Sequence, residues 1–276
     1  MKLSIITVNL NNRAGLQKTI DSVVAQSFKD FEWIVIDGGS TDGSRELIEQ
    51  YADHIAYWVS EPDKGIYNAM NKGIDAAKGE YLEFLNSGDW LNSSETLNEF
   101  FSVPLEGDVL YGDQDYYDGD KLVESRKHPD KLSMKYLYEW SLGHCSSFIK
   151  RELLAKEHYD ENYRIVSDWA FFLKLALADA KFVHRPVTVG CFDLSGISMK
   201  NQDLLHEERQ RVAQALLPQC VRNDFEEMNA LQQQLTAYEA QMDKQLKEVC
   251  AYRNKRRGFR RLLNVYLHLV KLVDKI

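Results

Sequence analysis

Two acidic loops carry the clearest chemistry in this chain: Asp37-Gly38-Gly39-Ser40-Thr41-Asp42 and Asn86-Ser87-Gly88-Asp89. Each follows a short apolar run, which places it at the carboxyl end of a strand, where open α/β sheets bind ligands. Carboxylates beside a phosphate-bearing ligand imply an intervening cation, and oxygen donors suit Mg2+ or Mn2+. Asp37 can accept hydrogen bonds from a base or a ribose, and Gly38 and Gly39 let the backbone come close. Asp42 reads equally as a helix cap or a ligand contact. Asp89 reads as a metal ligand beside a diphosphate, or as a cap.

Other positions join them. Thr7-Val8-Asn9 closes the opening strand, where a nucleotide base and ribose can lie. In the loop Ser60-Glu61-Pro62-Asp63-Lys64-Gly65-Ile66-Tyr67, Asp63 can face the nucleoside or cap the next helix. Lys64 can pair with phosphate, and Gly65 allows close passage of the chain. Taken alone, Asp168 in Ser167-Asp168-Trp169 is a helix-start aspartate. Trp169 can stack on a sugar or anchor its helix.

These residues need a scaffold. Strand candidates at 3–8, 33–36, 55–59 and 81–85 alternate with helical stretches at 15–27, 43–52 and 65–78. The third stretch carries the stripe Ile66, Ala69, Met70, Gly73, Ile74 and Ala77. Such alternation predicts a mostly parallel sheet covered on both faces, with right-handed crossovers bringing the loops to one edge. Downstream, Val109-Leu110-Tyr111 reads as a strand and Tyr117-Asp118-Gly119-Asp120 as a hairpin turn. A helix is expected from Trp169 to Ala178 and a strand from Phe182.

The 276 residues, 44% of them hydrophobic, suffice for a large core. Four dispersed cysteines, Cys145, Cys191, Cys220 and Cys250, form no CxxC pair, which favours a reduced, cytoplasmic setting. The opening residues predict a strand and not a secretory leader, and with no run of about eighteen apolar residues no transmembrane helix is expected. The net charge of −8 is divided: residues 251–276 hold eight Lys or Arg and one Asp, a net of +7, leaving −15 elsewhere. So acidic a body excludes nucleic acid as a partner.

The C-terminal region divides into two helical segments. Along 201–250, Met228, Leu231, Leu235, Tyr238, Met242 and Val249 recur at three/four spacing, predicting a long helix paired within the chain or in a homodimer. Along 251–276, Phe259, Leu262, Leu263, Tyr266, Leu269 and Val270 oppose Arg257, Arg260, Arg261 and Lys271. That pattern predicts an amphipathic helix on an anionic membrane surface, with docking on the acidic body as the alternative.

The segments TVNLNNR, VIDGGSTDGS, SEPDKGIYNAMNKGIDAAKGEYLEFLNSGD and SDWAFFLKL, in this order, resemble family 2 glycosyltransferases of the GT-A fold, over residues 1–195. The likeness is to enzymes of bacterial capsule, exopolysaccharide and O-antigen assembly. It implies a GT-A catalytic domain over 1–200 and inverting transfer of a hexose or N-acetylhexosamine from a nucleotide diphosphate donor, UDP-sugar favoured, with Mg2+ or Mn2+. It further implies a saccharide or polyprenyl-linked acceptor at the inner face of the membrane. Thr7 and Asn9 would line the nucleotide pocket, Asp37 would recognise the base and Asp63 would hold the nucleoside. Lys64 and Gly65 fall within the same donor-side match, Asp89 would bind the metal, and Asp168 would be the catalytic base. Asn86 and Gly88 stand where many members carry aspartates. The GHCSSF segment resembles an acceptor-side loop in which His144 touches diphosphate or acceptor; a packed histidine is the alternative. A catalytically silent carbohydrate-binding subunit and a nucleotide-sugar pyrophosphorylase are the competing readings. The second lacks a Gly-rich basic loop after the first strand.

Overall fold

Every residue of β1 (Leu3–Asn9) is buried, because β2 (Phe31–Asp37) and β4 (Tyr81–Phe84) flank it on both sides in parallel register. Its side chains alternate between two cores, the reason a fully buried strand reads as an unbroken apolar run. Ile6 and Val8 pack with Ile34, Ile36, Met70, Ile74 and Phe172. Leu3 and Ile5 pack on the opposite face with Leu16, Ile20, Trp33, Leu47 and Phe148. The computed structural model describes residues 1–104 and 106–253.

The chain leaves β1 through α1 (Arg13–Val24) to β2, and through α2 (Ser44–Gln50) to β3 (Tyr57–Ser60). It then crosses back through α3 (Ile66–Ala76) to β4 on the other side of β1. The spatial order β3-β2-β1-β4 therefore reverses direction at β1. Such a switch point opens a crevice at the carboxyl ends of the strands, where both acidic loops begin.

The second half extends the same sheet. β5 (Trp90–Leu91) and α4 (Thr96–Phe101) lead to β6 (Val109–Asp118), which turns at Gly119, φ +60°, into β7 (Lys121–Arg126). After α5 (Met134–Glu139), β8 (Ser147–Lys150) inserts antiparallel between β4 and β6. α6 (Arg151–Lys156) and α7 (Ser167–Leu177) precede β9 (Phe182–Asp193), which runs parallel to β6 and antiparallel to β5. Among the described residues nine strands form one sheet, and all but β5, β7 and β8 point the same way. The expected α/β, mostly parallel architecture is what the chain adopts.

At the C-terminal end the segment expected as one helix is two. α8 (Ile197–Lys200) and α9 (Gln202–Leu216) belong to a compact unit spanning Met1–Leu216, beyond the boundary expected at 200. Pro218, which cannot continue a helix, separates α9 from α10 (Gln219–Arg253). No helix among the described residues is long and apolar enough to cross a membrane. The basic amphipathic segment expected at 251–276 lies, from residue 254 onward, outside the described residues.

One residue runs against the logic of the core. Glu83, opposite Ile5 in the sheet, is fully buried, and neither carboxylate oxygen has a hydrogen-bond partner. Burial pushes its acid well above the ordinary range, so the folded chain keeps a proton that the unfolded chain releases above about pH 4.3. Because the folded state then binds more protons, stability falls as pH rises beyond that value. Glu83→Leu should stabilise the protein at pH 7–8 by about 1–3 kcal/mol, the scale of one unsatisfied buried group. Calorimetry from pH 5 to 8 should show a flatter midpoint curve for the variant; parallel curves would refute this.

Candidate active site

Asp37 ends β2 with no solvent exposure. Its Oδ1 accepts Asn9 Nδ2 at 2.7 Å and Ser40 Oγ at 2.5 Å. Its Oδ2 accepts the Ser40 N–H at 2.9 Å and Ser60 Oγ at 2.6 Å. These four donors occupy the four lone-pair positions of a carboxylate. Burial raises the pKa of this carboxyl, but the combined hydrogen bonds prevail and hold it below the ordinary value. In this structure Asp37 ties the ends of β1, β2 and β3 together and has no free acceptor for a base. Asn9 retains a buried, unpartnered Oδ1 beside it.

The neighbouring loops close on this knot. Asp42 accepts the Arg13 N–H at 2.8 Å and Ser44 N–H at 3.1 Å, so it joins the starts of α1 and α2. Gly39, at φ +81°, passes so close to Pro62 that a Cβ would lie 3.2 Å from its nitrogen. Asp63 Oδ2 would lie 3.2 Å from a Cβ on Gly38, and Asp63 Oδ1 pairs with Lys72 Nζ at 2.5 Å. Lys64 is exposed, and Gly65, at φ +142°, has open space around it. Thr7 is different: it is fully buried and accepts Trp33 Nε1 at 3.0 Å, so it supports the crevice from below instead of lining it.

The 86–89 loop is held by α1. Thr19 Oγ1 donates to Asp89 O at 2.7 Å and accepts the Gly88 N–H at 3.1 Å, while Asn12 Nδ2 donates to Ser87 O at 3.0 Å. Asp89 is 6% exposed, and its Oδ1 accepts the Asp193 N–H at 3.1 Å. Burial first, and the nearby Asp193 charge second, push its acid up to about 7 against that hydrogen bond. Asn86 Oδ1 is buried without a partner. Among the described residues no group of three or more His, Cys, Asp or Glu side chains could hold a metal ion unaided. Asp89 and Asn86 offer oxygen donors of the kind a hard cation takes, and such an ion would need further oxygens from a ligand or water to complete its shell.

Asp168 stands in the first turn of α7, its side chain 21% exposed. Tyr67, in the first turn of α3, donates its O–H to Asp168 Oδ1 at 2.7 Å. Burial and then Asp168 push the phenol well above its ordinary acidity range, so it stays a donor. His144 Nδ1 lies 4.0 Å from Asp168 Oδ2, and its Nε2 meets Tyr159 O–H at 2.9 Å. Burial lowers the imidazole against the pull of Asp168, which favours the neutral ring. Trp169 anchors: it is 3% exposed, donates Nε1 to Leu137 O at 2.5 Å, and carries the Arg209 guanidinium 4.6 Å from its ring centre. It offers no face to a sugar.

Sequence reasoning singled out Asp168 and missed what frames it. Glu208 of α9 accepts the Arg164 and Ile165 N–H groups at 2.7 and 2.9 Å, fixing the approach to α7. Arg209, next to it, donates to Glu139 O at 3.0 Å, and burial lowers its pKa against the opposing charge of Asp168. No local motif marks either residue, since both act from a helix distant in sequence. Tyr67 lay inside a quoted motif, but only the fold shows its partner. Tyr67→Phe should lower kcat about 10-fold, the scale of a hydrogen bond to a charged group, with nucleotide affinity preserved. Unchanged steady-state kinetics would remove Tyr67 from the site.

Fold and crevice together define an α/β domain that sets a carboxylate in a helix turn against loops suited to a phosphate-bearing ligand. The family model described as glycosyl transferase family 2 matches residues 4–165. A protein of Mycobacterium tuberculosis named as an uncharacterized glycosyltransferase is 35% identical over 205 residues, 71% of this chain and 76% of its own. A Mycobacterium bovis PGL/p-HBAD biosynthesis glycosyltransferase is 31% identical, over 62% of this chain and 68% of its own. Among solved structures, Staphylococcus aureus TarS 1-349 superposes with a TM-score of 0.60 at 20% identity, covering 77% of this chain and 64% of that one. A Pyrobaculum calidifontis mannosyltransferase in complex with GDP-Man and Mn2+ gives 0.54 at 18%, covering 69% and 56%. The chain belongs to glycosyl transferase family 2 and has its GT-A fold.

Proposed function

We propose that this transferase moves a hexose or N-acetylhexosamine, with inversion, from a nucleotide diphosphate donor to a saccharide acceptor in bacterial surface polysaccharide assembly. The observation that carries the reading is Asp168: one oxygen is held by Tyr67, and the side chain remains partly open. As an acceptor hydroxyl oxygen forms its bond to the anomeric carbon, Asp168 takes the hydroxyl proton, and the carbon–oxygen bond to the diphosphate breaks on the opposite face. Neutral His144, beside Asp168, is placed to orient the acceptor. The 63–65 loop faces the donor, with Lys64 free to approach phosphate. A bound Mg2+ or Mn2+ would neutralise charge on the departing diphosphate; Asp89, with Asn86, would hold it.

A UDP-sugar is the favoured donor, supported by a crystal form of TarS in complex with UDP-GlcNAc, TM-score 0.56. A polyprenyl-linked acceptor at the inner membrane face accords with the +7 charge of 251–276. The deciding experiment incubates nucleotide sugars with membrane-extracted acceptors and determines product mass and linkage. Nucleotide diphosphate release that needs both substrates supports transfer; donor binding without turnover would support the silent subunit.

Self-association belongs to the same reading. Along α10, Met228, Leu231, Leu235 and Tyr238 are 44%, 57%, 51% and 62% exposed, at heptad spacing. Gln232, Gln234 and Gln241 flank the centre of this stripe, and Glu227 and Glu239 flank its ends, so a second copy meets uncharged neighbours beside Leu231 and Leu235. Leu231→Glu with Leu235→Glu should convert a dimer to a monomer in light scattering at unchanged turnover. A monomeric parent chain would refute the pairing.

A further inference from the structure

The 86–89 loop has one carboxylate of its own, and the sheet brings it another. β9 crosses the second half of the molecule, pairs Cys191 with Trp90 of β5, and ends at Asp193. There the Asp193 backbone N–H donates to Asp89 Oδ1 at 3.1 Å, linking residues 104 apart in sequence. The Asp193 side chain is fixed separately: its Oδ1 accepts the Ser195 N–H at 2.8 Å. Its Oδ2 lies 3.8 Å from where a Cβ on Gly88 would stand. Gly88 has φ +109°, a conformation that L side chains rarely adopt, so the loop passes Asp193 with no side chain between them.

This arrangement sets the Asp193 side chain, carboxylate included, within van der Waals reach of position 88. Two carboxylates whose residues are joined by one hydrogen bond are like charges that a counter-charge would offset. A divalent cation supplies one and also accepts phosphate oxygens. Asn86 Oδ1, buried and unpartnered on the same loop, adds a neutral oxygen of the kind such ions take. The strand pairing does not need the Asp193 carboxylate, because the link to Asp89 runs through the backbone.

We propose that Asp193 acts with Asp89 to hold the divalent cation, supplying from β9 the carboxylate that the 86–89 loop lacks. The inference rests on the metal-assisted reading of the donor site. It makes the metal centre a joint product of the parallel half of the sheet and the strand that closes the other half.

The test is Mn2+ uptake by the full chain, followed by the electron paramagnetic resonance of free Mn2+ in the presence of UDP and, separately, GDP. Asp193→Asn keeps an acceptor for the Ser195 N–H and the backbone link to Asp89, removing only charge. It should weaken Mn2+ binding about 10-fold or more, with an unchanged melting midpoint. Asp193→Ser serves as a second variant should the first misfold, and Asp193→Glu should restore part of the affinity. Asp193→Asn binding within about twofold of the parent, while Asp89→Asn loses Mn2+, would overturn the proposal and leave the metal reading intact. A parent chain that binds nucleotide but takes up no Mn2+ would overturn both. Transfer persisting in EDTA would then show that the transferase reading itself stands.

Discussion

Asp168→Asn should lower kcat roughly a thousandfold, within the span that a positioned general base contributes, while nucleotide binding stays near its parental value. The substitution is nearly isosteric and keeps an oxygen for the Tyr67 O–H, which lies 2.7 Å from Oδ1. Trp169 remains anchored to Leu137 and Glu208 still fixes the chain before α7, so the helix start should not move. What disappears is the ability to take a proton. Calorimetric titration of the nucleotide beside single-turnover kinetics separates the two quantities. Normal transfer by Asp168→Asn would assign the base elsewhere; equal losses in binding and turnover would assign Asp168 to donor affinity.

The second large effect concerns Asp89. Asp89→Asn retains an oxygen for the Asp193 N–H and removes the charge, so the loop held by Thr19 should keep its shape. Donor affinity in Mn2+ should fall about 10- to 100-fold, at least the loss that outer-shell changes cause at metal sites. The advantage of Mn2+ over EDTA should vanish with it. Fluorescence titration with a UDP-sugar in both media checks this. A variant that still responds to Mn2+ as the parent does would exclude Asp89 from the cation site.

Much of this was legible in the sequence, for reasons specific to each element. The buried parallel strands announce themselves because both faces need apolar residues: Leu3, Ile5, Ile6 and Val8 are at most 6% exposed. The loops that follow them had to converge, since parallel strands end on one side. Long-range partners were hidden. Nothing near Asp168 predicts Tyr67 at its Oδ1, and nothing near Asp89 predicts Asp193. Trp169 was ambiguous because a tryptophan beside a carboxylate serves sugar stacking and core packing alike; burial and the Arg209 contact decide it. Thr7 was placed one layer too high: strand alternation turns its side chain toward Trp33, beneath the crevice. β8 showed in the sequence only as a strand entrance at Cys145-Ser146-Ser147, because four residues give too short a run for periodicity to show.

The Asp37 knot has a consequence for how the crevice would discriminate between ligands. Three elements donate into one buried carboxylate, so that wall is ordered by folding and loses no conformational entropy when a nucleoside arrives. The turn beside it is of another kind, with Lys64 in solvent and Gly65 unobstructed. One side acts as a rigid gauge that rejects misfits by shape, while the other adapts to the ligand it meets. On the proposed donor reading, shape selection of the base would fall to the Asp37 knot and accommodation of phosphate and sugar to the 64–65 turn.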